Sequence, residues 1–419
     1  MNQHGAGAAA DVRMRGFTRR HTVDAALEWL DAQLAPLAPE VIPLRAAAGR
    51  VLADAITSAV DVPGFDRATM DGYALMAERT DGATAYDGVM FSLAGDALPG
   101  RPYSGTVGNG ETVRIMTGAP IPAGCDAVLP AEFAELVDEG GGRPAVRALA
   151  AVSPGKNVGH RGEDIVSGSV LLDAGRHLRP QDLGVLSSVG AGAVSVVRRP
   201  RVRLVVTGNE LLPAGSQPQG TQIVDANGPM LAALVERDGG EVIFPGLVPD
   251  DRDAILAALT ADADIVIVSG GSSVGIEDHA PMLVAAHGEL AVHGIAMRPS
   301  SPTGMGKVGA RLVFLLPGNP VSCLCAYDFF AGRAIRALGG RMTAWPYRSV
   351  RAALVRKISS PIGRLDYARV RLAGGAVEPL AVGGASVLSS TTRADGFVIV
   401  PADSEGFAAG SDVDVWLYA

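Results

Sequence analysis

The chain lacks most of the features that announce a function directly. Three cysteines occur in 419 residues, Cys125, Cys323 and Cys325, and none are spaced as CxxC. That argues against both a disulfide framework and a structural zinc site. A basic excess is missing too: 36 Lys and Arg face 44 Asp and Glu, a formal net charge of −8 with a sequence pI near 5.4, whereas general nucleic-acid binders are basic. Long apolar runs are absent. Stretches such as Ala263–Val268 and Leu312–Leu316 stop at Ser-Gly or Pro-Gly, well short of the ~20 residues of a membrane helix. Neither a Walker motif nor GxGxxG occurs, which disfavours the ordinary nucleoside-triphosphate and dinucleotide folds. Arg13, Arg15, Arg19 and Arg20 near the N-terminus lead into no apolar segment; the expectation is a disordered tail over residues 1–20, not a signal peptide. These absences leave a cytoplasmic enzyme, with no nucleic-acid and no membrane partner.

What is present is apolar content and glycine. Hydrophobic residues make up 48% of the chain, enough for a sizeable core, and at roughly 150 residues per domain the length suggests about three structural units. The 53 glycines are about one residue in eight, against a typical ~7%, and suit many turns and close backbone approach to a ligand.

The texture changes along the chain. Val23, Leu27, Leu30 and Leu34 fall at helical spacing, predicting an amphipathic helix over Thr22–Leu37 with Thr22 as N-cap. Asp61–Val152 reads as strands and turns, with short apolar runs at Met90–Leu93, Val113–Met116 and Ala127–Leu129. A helix from about Pro180 within Leu178–Leu186 leads to the strand Ala193–Val197. From Arg201 the pattern alternates: strands at Val202–Val206, Glu241–Phe244, Asp264–Val268 and Ala310–Leu316, helices at Pro229–Asp238, Asp251–Leu259, Pro281–Ala286 and Val321–Leu338. Continuous apolar strands separated by helices imply a parallel sheet covered on both faces, with right-handed crossovers. Beyond Trp345, Val350–Ile358, Leu365–Leu372, Phe397–Val400 and Val413–Tyr418 predict a small β-domain.

Ligands of open parallel sheets bind outside the carboxyl ends of the strands, and three strand ends here run into unusual loops. They are Thr207-Gly208-Asn209-Glu210, Ser269-Gly270-Gly271-Ser272-Ser273-Val274-Gly275-Ile276-Glu277-Asp278, and Pro317-Gly318-Asn319-Pro320-Val321-Ser322, which opens a helix. Glycine-rich strand-to-helix turns expose backbone N–H groups at a positive helix end and favour phosphate or another oxyanion. Ser272, Ser273 and Ser322 add hydroxyls, and Glu210, Asp250 and Asp278 place carboxylates on the same rim; hard carboxylates beside phosphate suggest Mg²⁺. Two further stretches are hard to explain as packing: Asp61–Ala74, with three aspartates among turn residues, and Arg161-Gly162-Glu163-Asp164. His160 and His293 are not arranged as metal ligands, and Cys323 and Cys325 fall inside a predicted helix as core residues.

In order, Asp61–Ala74, Arg114-Ile115-Met116-Thr117-Gly118-Ala119-Pro120, Arg161–Asp164, Thr207–Leu211, Ser269–Asp278 and Leu316–Ser322 resemble the motifs of the molybdopterin molybdenumtransferases, the MoeA proteins and the gephyrin E domain. The resemblance covers nearly the whole chain after residue 20. It implies an α/β plus β multidomain fold. Its parts are a parallel α/β sheet domain of molybdopterin-binding type (21–37 and 189–343), a small linking domain (38–57 and 156–188), an inserted β-domain (58–155) and a C-terminal β-barrel-like domain (344–419). It also implies an elongated homodimer whose cleft lies between the α/β unit of one subunit and the inserted β-domain of the other. The implied reaction takes adenylated molybdopterin and molybdate with Mg²⁺ and yields molybdenum cofactor and AMP. By position, Asp278 and Glu210 resemble acids near the metal and adenylate, and Asp66, Thr117, Asp164 and Asp250 resemble other functional positions. Gly270, Gly271, Ser273, Pro317, Gly318, Asn319, Pro320 and Ser322 would hold the pterin and its phosphates. Arg298, Ser301, Arg369 and one of Ser386, Ser389 or Ser390 would serve the oxyanion. Molybdopterin adenylyltransferase and recipient molybdoenzymes are the protein partners the resemblance points to.

Two departures bear on activity. Where the family typically carries Lys-Pro-Gly-Lys-Pro, this chain has Arg298-Pro299-Ser300-Ser301-Pro302, and Asn209 stands where an aspartate is usual. Hydroxyls replace a lysine's charge at an oxyanion site only in part. A non-catalytic molybdopterin or cofactor carrier, diverged at Ser300-Ser301, is therefore the alternative reading. A third is a related transferase acting on tungstate or on a differently modified pterin.

Overall fold

The computed structural model describes residues 20–137, 144–271, 278–381 and 384–418; the predicted tail before Arg20 lies outside them. The chain divides into two compact units, each assembled from separated segments. One comprises the chain up to Val41, Gly49–Ala53 and Ser195–Ala419, the other Ile42–Ala48 and Asp54–Val194.

The first unit is organised by a seven-stranded sheet. Arg201–Thr207, Ile265–Ser269 and Arg311–Leu316 run parallel, side by side, and Glu241–Ile243 and Leu247–Val248 pair in parallel along the outer edge of Arg201–Thr207. Successive side chains of these strands point to opposite faces, and both faces are covered. Val202, Leu204, Ile265, Ile267, Leu312 and Phe314 pack on one side with Leu231 and Val235 of the helix Asn227–Arg237 and with Phe330 and Ile335. Val205, Val266, Val268, Val313 and Leu315 pack on the other with the helices Arg252–Thr260 and Ala280–His287. Burial on both faces is why these strands read as uninterrupted apolar runs.

The sheet is not wholly parallel, as the sequence implied. Gly304–Val308 pairs antiparallel with Arg311–Leu316, and Glu289–His293 pairs antiparallel with it in turn. Glycine carries that edge: a Cβ at Gly306 would stand 2.0 Å from the Glu289 carbonyl oxygen. An edge built on close backbone approach leaves little apolar signal in the sequence.

The helix expected over Thr22–Leu37 ends at Asp31. Thr22 caps it as expected, its Oγ1 accepting from the Ala25 N–H at 3.1 Å, and Pro36, with no N–H to give, bars the helix from running on to Leu37. Val23, Ala26 and Leu30 are buried in the cluster that contains Val202 and Leu204. The long helix expected over Val321–Leu338 forms as Pro320–Ala326, a π-helical turn Tyr327–Ala331, and Gly332–Leu338.

That π-turn holds a buried polar cluster. Asp238 receives Arg237 at 2.9 Å, Arg336 at 2.9 Å and the Tyr327 hydroxyl at 3.0 Å. Asp328 receives Arg237 at 3.2 Å and the Tyr347 hydroxyl at 2.9 Å. Burial pushes the Asp328 carboxyl up to about 6, against the opposing pull of Arg237 and Tyr347. A raised folded-state pKa means the native protein binds this proton more tightly than the unfolded chain. The group therefore favours folding fully below its ordinary value of 3.8, and that contribution is lost as pH rises to about 6. Asp328→Asn is expected to flatten the gain in stability that the wild-type protein shows between pH 6 and pH 4, measured as urea midpoints. Identical pH slopes for the two proteins would remove Asp328 as its source.

The C-terminal part of this unit is a ring of strands. Leu365–Ala373, Gly396–Val400, Asp412–Leu417 and Ser349–Ala353 pair in that order. A bridge between Leu354 and Val377 leads into Ala376–Ala381, which pairs back on Leu365–Ala373. The single strand expected over Val350–Ile358 is thus two pieces, Ser349–Ala353 and Ile358–Ser359, because the chain turns at Leu354 to make that bridge. Met297–Arg298 adds to the ring in parallel beside Leu365 and Asp366.

The second unit centres on a six-stranded sheet in the order Ala127–Pro130, Gly72–Leu75, Glu111–Ile115, Val89–Ala97, Ala145–Ala148 and Ala134–Val137. Two small antiparallel pairs, Arg67–Ala68 with Val158–Gly159 and Ile56–Thr57 with Val170–Leu172, join early and late segments of the unit. The helix Pro180–Ser188 follows, with the buried Asp182 clamped by Arg176 and Arg179 at 3.1 and 3.0 Å.

Candidate active site

The carboxyl ends of the parallel strands in the first unit open into a cavity of about 960 Å³. Its floor follows from where each strand stops. Arg201–Thr207 ends in a threonine whose Oγ1 donates to the Asp250 carboxylate, tying that acid to the strand end. Ile265–Ser269 ends at Gly270 and Gly271, with φ of 98° and 54°, and a Cβ at Gly270 would lie 2.1 Å from the Thr207 carbonyl oxygen. Only glycine fits between these two loops. Arg311–Leu316 runs into Pro317, Gly318, Asn319 and Pro320, all on the wall.

This last turn offers fewer free amides than its glycine-rich look implies. Pro317 and Pro320 carry no N–H, and the Val321 N–H is taken by the Ala385 carbonyl at 3.0 Å. The contact brings the segment at Ala385 against the turn, and its neighbour Ser386 lines the cavity. Of the three C-terminal serines considered, Ser386 is the one on the wall. Ser390 donates to the Val387 carbonyl at 2.5 Å, and Ser389 receives Arg393 at its hydroxyl at 2.9 Å.

Glu210, Asp250 and Asp278 all line this cavity, as the sequence placed them on one rim, and so does Asp225. The oxygen donors suit a hard cation. Among the described residues no group of three or more His, Cys, Asp or Glu side chains is placed to hold a metal ion. Ser272 and Ser273 lie outside the described residues.

Asn227 is the residue that sequence reasoning missed. It is 7% exposed and lines the cavity. Its Nδ2 donates to the Ser269 hydroxyl at 2.9 Å and to the Gly318 carbonyl at 2.7 Å, stapling the helix start to both glycine loops. A carbonyl can only accept, so the amide orientation is fixed. Asn227 Oδ1 is then left buried without a partner, at a standing cost of about 1–3 kcal/mol. Asp225 prepares the position, its Oδ1 accepting the N–H groups of Asn227 and Gly228 at 2.8 and 2.9 Å. The legible signal was Asp225-Ala226-Asn227-Gly228: an aspartate capping two amides starts the helix two residues before Pro229, where the sequence reading began it.

A second cavity of about 620 Å³ shares Pro302, Pro317 and Asn319 with the first and is lined by Arg298, Ser300, Ser301 and Ser322. Arg298 does not present a free charge there, because its guanidinium is paired with the fully buried Asp366. Asp366 also takes Arg364 at 3.2 Å and the Ser360 hydroxyl at 2.8 Å. Ser300 has φ of 89° and donates to the Ser322 carbonyl at 2.5 Å, so serine here holds a backbone conformation that glycine adopts without strain. Arg369, expected at the oxyanion, lies in neither cavity: it is 0% exposed within Leu365–Ala373. Ala368 and Val370 face the interior of the ring, so Arg369 between them lies on its other face, with Tyr367 and its strand partner Phe397, both packed into the core beneath the parallel sheet. Cys323 and Cys325 are core residues, as expected, and burial pushes the Cys323 thiol up to about 12.

Asp66, Thr117 and Asp164 belong to the second unit and form part of an exposed polar network there. Asp66 accepts the Arg161 N–H at 2.8 Å, and Asp61 takes the Arg161 guanidinium at 2.6 Å and the Ser167 N–H at 2.7 Å. The Ser167 and Arg161 hydrogen bonds hold the Asp61 carboxyl below the usual range. Thr117 donates its N–H and its hydroxyl to Asp71 at 2.7 and 2.8 Å, and the Asp164 N–H donates to the Val62 carbonyl at 3.0 Å. His160 sits 3.8 Å from Asp66 at the surface.

Three family models match the chain in succession: the MoeA N-terminal region (domain I and II) over residues 21–190, a probable molybdopterin binding domain over 203–337, and the MoeA C-terminal region (domain IV) over 351–418. Molybdopterin molybdenumtransferase 2 of Mycobacterium tuberculosis is 34% identical over 393 residues, covering 90% of this chain and 95% of its own. Molybdopterin molybdenumtransferase of Staphylococcus aureus is 31% identical over 385 residues, covering 90% of each. Among solved structures, the molybdopterin biosynthesis MoeA protein of Pyrococcus horikoshii superposes with a TM-score of 0.81 at 33% identity, over 96% of this chain and 100% of that one.

Proposed function

Because the chain belongs to the MoeA family of molybdopterin molybdenumtransferases, we propose that it makes molybdenum cofactor by inserting molybdate into adenylated molybdopterin with release of AMP. The observation that carries this reading is the 960 Å³ cavity, which gathers three glycine-bearing loops and four carboxylates at the ends of one parallel sheet.

Within it, the amides around Gly270, Gly271 and Gly318 face the phosphates of the substrate, since backbone N–H groups bind phosphate without a charge of their own. Thr207 orients Asp250. Asp278 and Glu210 would hold Mg²⁺, whose chemistry there is to neutralise charge on the phosphoanhydride being broken. Ser386 and Ser301 offer hydroxyls to molybdate. Asp66, Thr117 and Asp164 serve the same reaction from the second unit, in a homodimer whose clefts are completed by the partner's copy of that unit, as the family architecture implies. Soluble, cytoplasmic operation beside an adenylyltransferase and a recipient molybdoenzyme belongs to the same proposal.

One observation favours a second reading. Arg298 and Arg364 share the buried Asp366 and Ser301 is uncharged, so the position where the family carries its second lysine offers the second cavity a hydroxyl in place of a charge. A carrier that binds the pterin without turnover would have this shape. The deciding experiment is AMP release from adenylated molybdopterin by the purified protein with Mg²⁺, with and without micromolar molybdate. Molybdate-dependent release is expected. Tight binding without release would establish the carrier instead, and Ser301→Lys would then be expected to restore release by about tenfold or more, the value of one added charge contact at a partly buried anion site.

A further inference from the structure

We propose that Asn227, with Asp225, reads the hydrogen-bond donor edge of the pterin ring and is a specificity-determining residue of the site; the inference rests on the transferase reading above. Both residues line the 960 Å³ cavity, and both are 7% exposed. Asn227 Oδ1 is buried and unpartnered, while the amide nitrogen that shares its carbon is fully engaged by Ser269 and Gly318. The amide therefore cannot turn over to satisfy the oxygen without breaking both of those bonds. Asp225 is fixed in the same way. Its Oδ1 is used by two backbone N–H groups, which leaves Oδ2 as its acceptor toward a ligand. The lining at this point thus brings two side-chain acceptors from residues two positions apart, Asn227 Oδ1 and Asp225 Oδ2, while the donor of the Asn227 amide is spent on Ser269 and Gly318.

The chemistry of the substrate decides what they accept from. Molybdate brings acceptor oxygens only, phosphate at neutral pH is an anion as well, and a carboxylate would repel both. The adenine edge places one amino group next to a ring nitrogen that is itself an acceptor, so a second acceptor on the wall would face a lone pair. The pterin ring carries its 2-amino group and its N3–H side by side, two donors on adjacent atoms, and this is the donor pattern that two acceptors match. Sites built to bond such groups reject analogues that lack them strongly, because the buried acceptor is then left unpaired.

Ligand-side substitution tests this on the wild-type protein. Pterin-6-ylmethyl phosphate and its 2-deamino counterpart are titrated calorimetrically, with 5′-AMP as the probe of the phosphate loops. The 2-amino form is expected to bind about tenfold or more tighter, the size of one buried hydrogen bond. In Asn227→Ala that ratio is expected to fall to about twofold, and 5′-AMP titrated on the same variant reports how far the glycine loops that Asn227 holds have shifted. Equal binding of the two pterins by the wild type, or an unchanged ratio in Asn227→Ala, overturns the inference while AMP release from adenylated molybdopterin leaves the transferase reading standing. Binding of 5′-AMP with no detectable binding of either pterin overturns it as well. Loss of molybdate-dependent AMP release in a wild type that still prefers the 2-amino form would count against the transferase reading alone. If Asn227→Ala does not fold, Asp225→Asn, which keeps the Oδ1 acceptor and puts a donor in place of Oδ2, is expected to lower the preference for the 2-amino form, and an unchanged ratio there overturns the inference.

Discussion

Asp278→Ala is expected to abolish molybdate-dependent AMP release, with a loss of at least about a hundredfold, the scale seen when one preorganised charge or dipole is removed from a reacting centre. The residue stands on the cavity wall with Glu210 and Asp250, at the point where the chain enters the helix Ala280–His287. It is partly exposed rather than built into the core, so truncation removes a carboxylate from the site without opening a void. A cooperative thermal transition is expected to remain, which separates loss of the carboxylate from loss of the fold. Single-turnover AMP release and a thermal melt on the same preparation check both halves. Normal turnover would take Asp278 out of the chemistry and leave Glu210 as the acid to examine next. A variant that fails to melt cooperatively would show that Asp278 holds the fold instead.

The largest effect on stability is expected far from the chemistry, at Asp238→Ala. Its carboxylate is 0% exposed and is shared by Arg237, Arg336 and Tyr327. Arg336 is itself 3% exposed, so losing Asp238 strands a buried guanidinium whose other contact is the Thr343 carbonyl at 3.1 Å. Breaking one side of such a pair costs about 3–5 kcal/mol, because the remaining charge keeps its full desolvation penalty. The check is a denaturant midpoint. A companion variant carrying Arg336→Met as well is expected to recover part of the loss, since the stranded charge is then gone. A loss under about 1 kcal/mol would mean that water reaches Arg336 and that the cluster is not sealed.

The strands and loops were legible for a physical reason: Val202–Val206, Asp264–Val268 and Ala310–Leu316 are buried on both faces, and nothing else makes runs so uniformly apolar. The loops that follow them were legible because glycine has few other uses at a strand end. The features that escaped depend on contacts between residues far apart in sequence. Val321 looked like a free amide until Ala385 was seen against it. Arg298 looked like a free charge until Asp366 was seen beneath it. Arg369 looked like an anion ligand in the sequence, and the packing of the ring's outer face against the core beneath the parallel sheet buries it. The π-turn at Tyr327–Ala331 has no period of its own; the two buried aspartates it serves lie 90 residues apart, at Asp238 and Asp328. Asn227 had a sequence signal, since the aspartate two residues before it accepts the first two amides of its helix.

The scattering of the first unit along the chain has a consequence for its synthesis. The helix Val23–Asp31 buries Val23, Ala26 and Leu30 against strands that begin at Arg201. At roughly 5–20 residues per second on a ribosome, the roughly 170 residues between them take on the order of 10–30 seconds to emerge. The second unit, complete by Val194, leaves the ribosome whole before the sheet that receives that helix exists. For that interval the helix has an apolar face and nothing to lay it on, which makes it the natural place for a chaperone to hold the nascent chain.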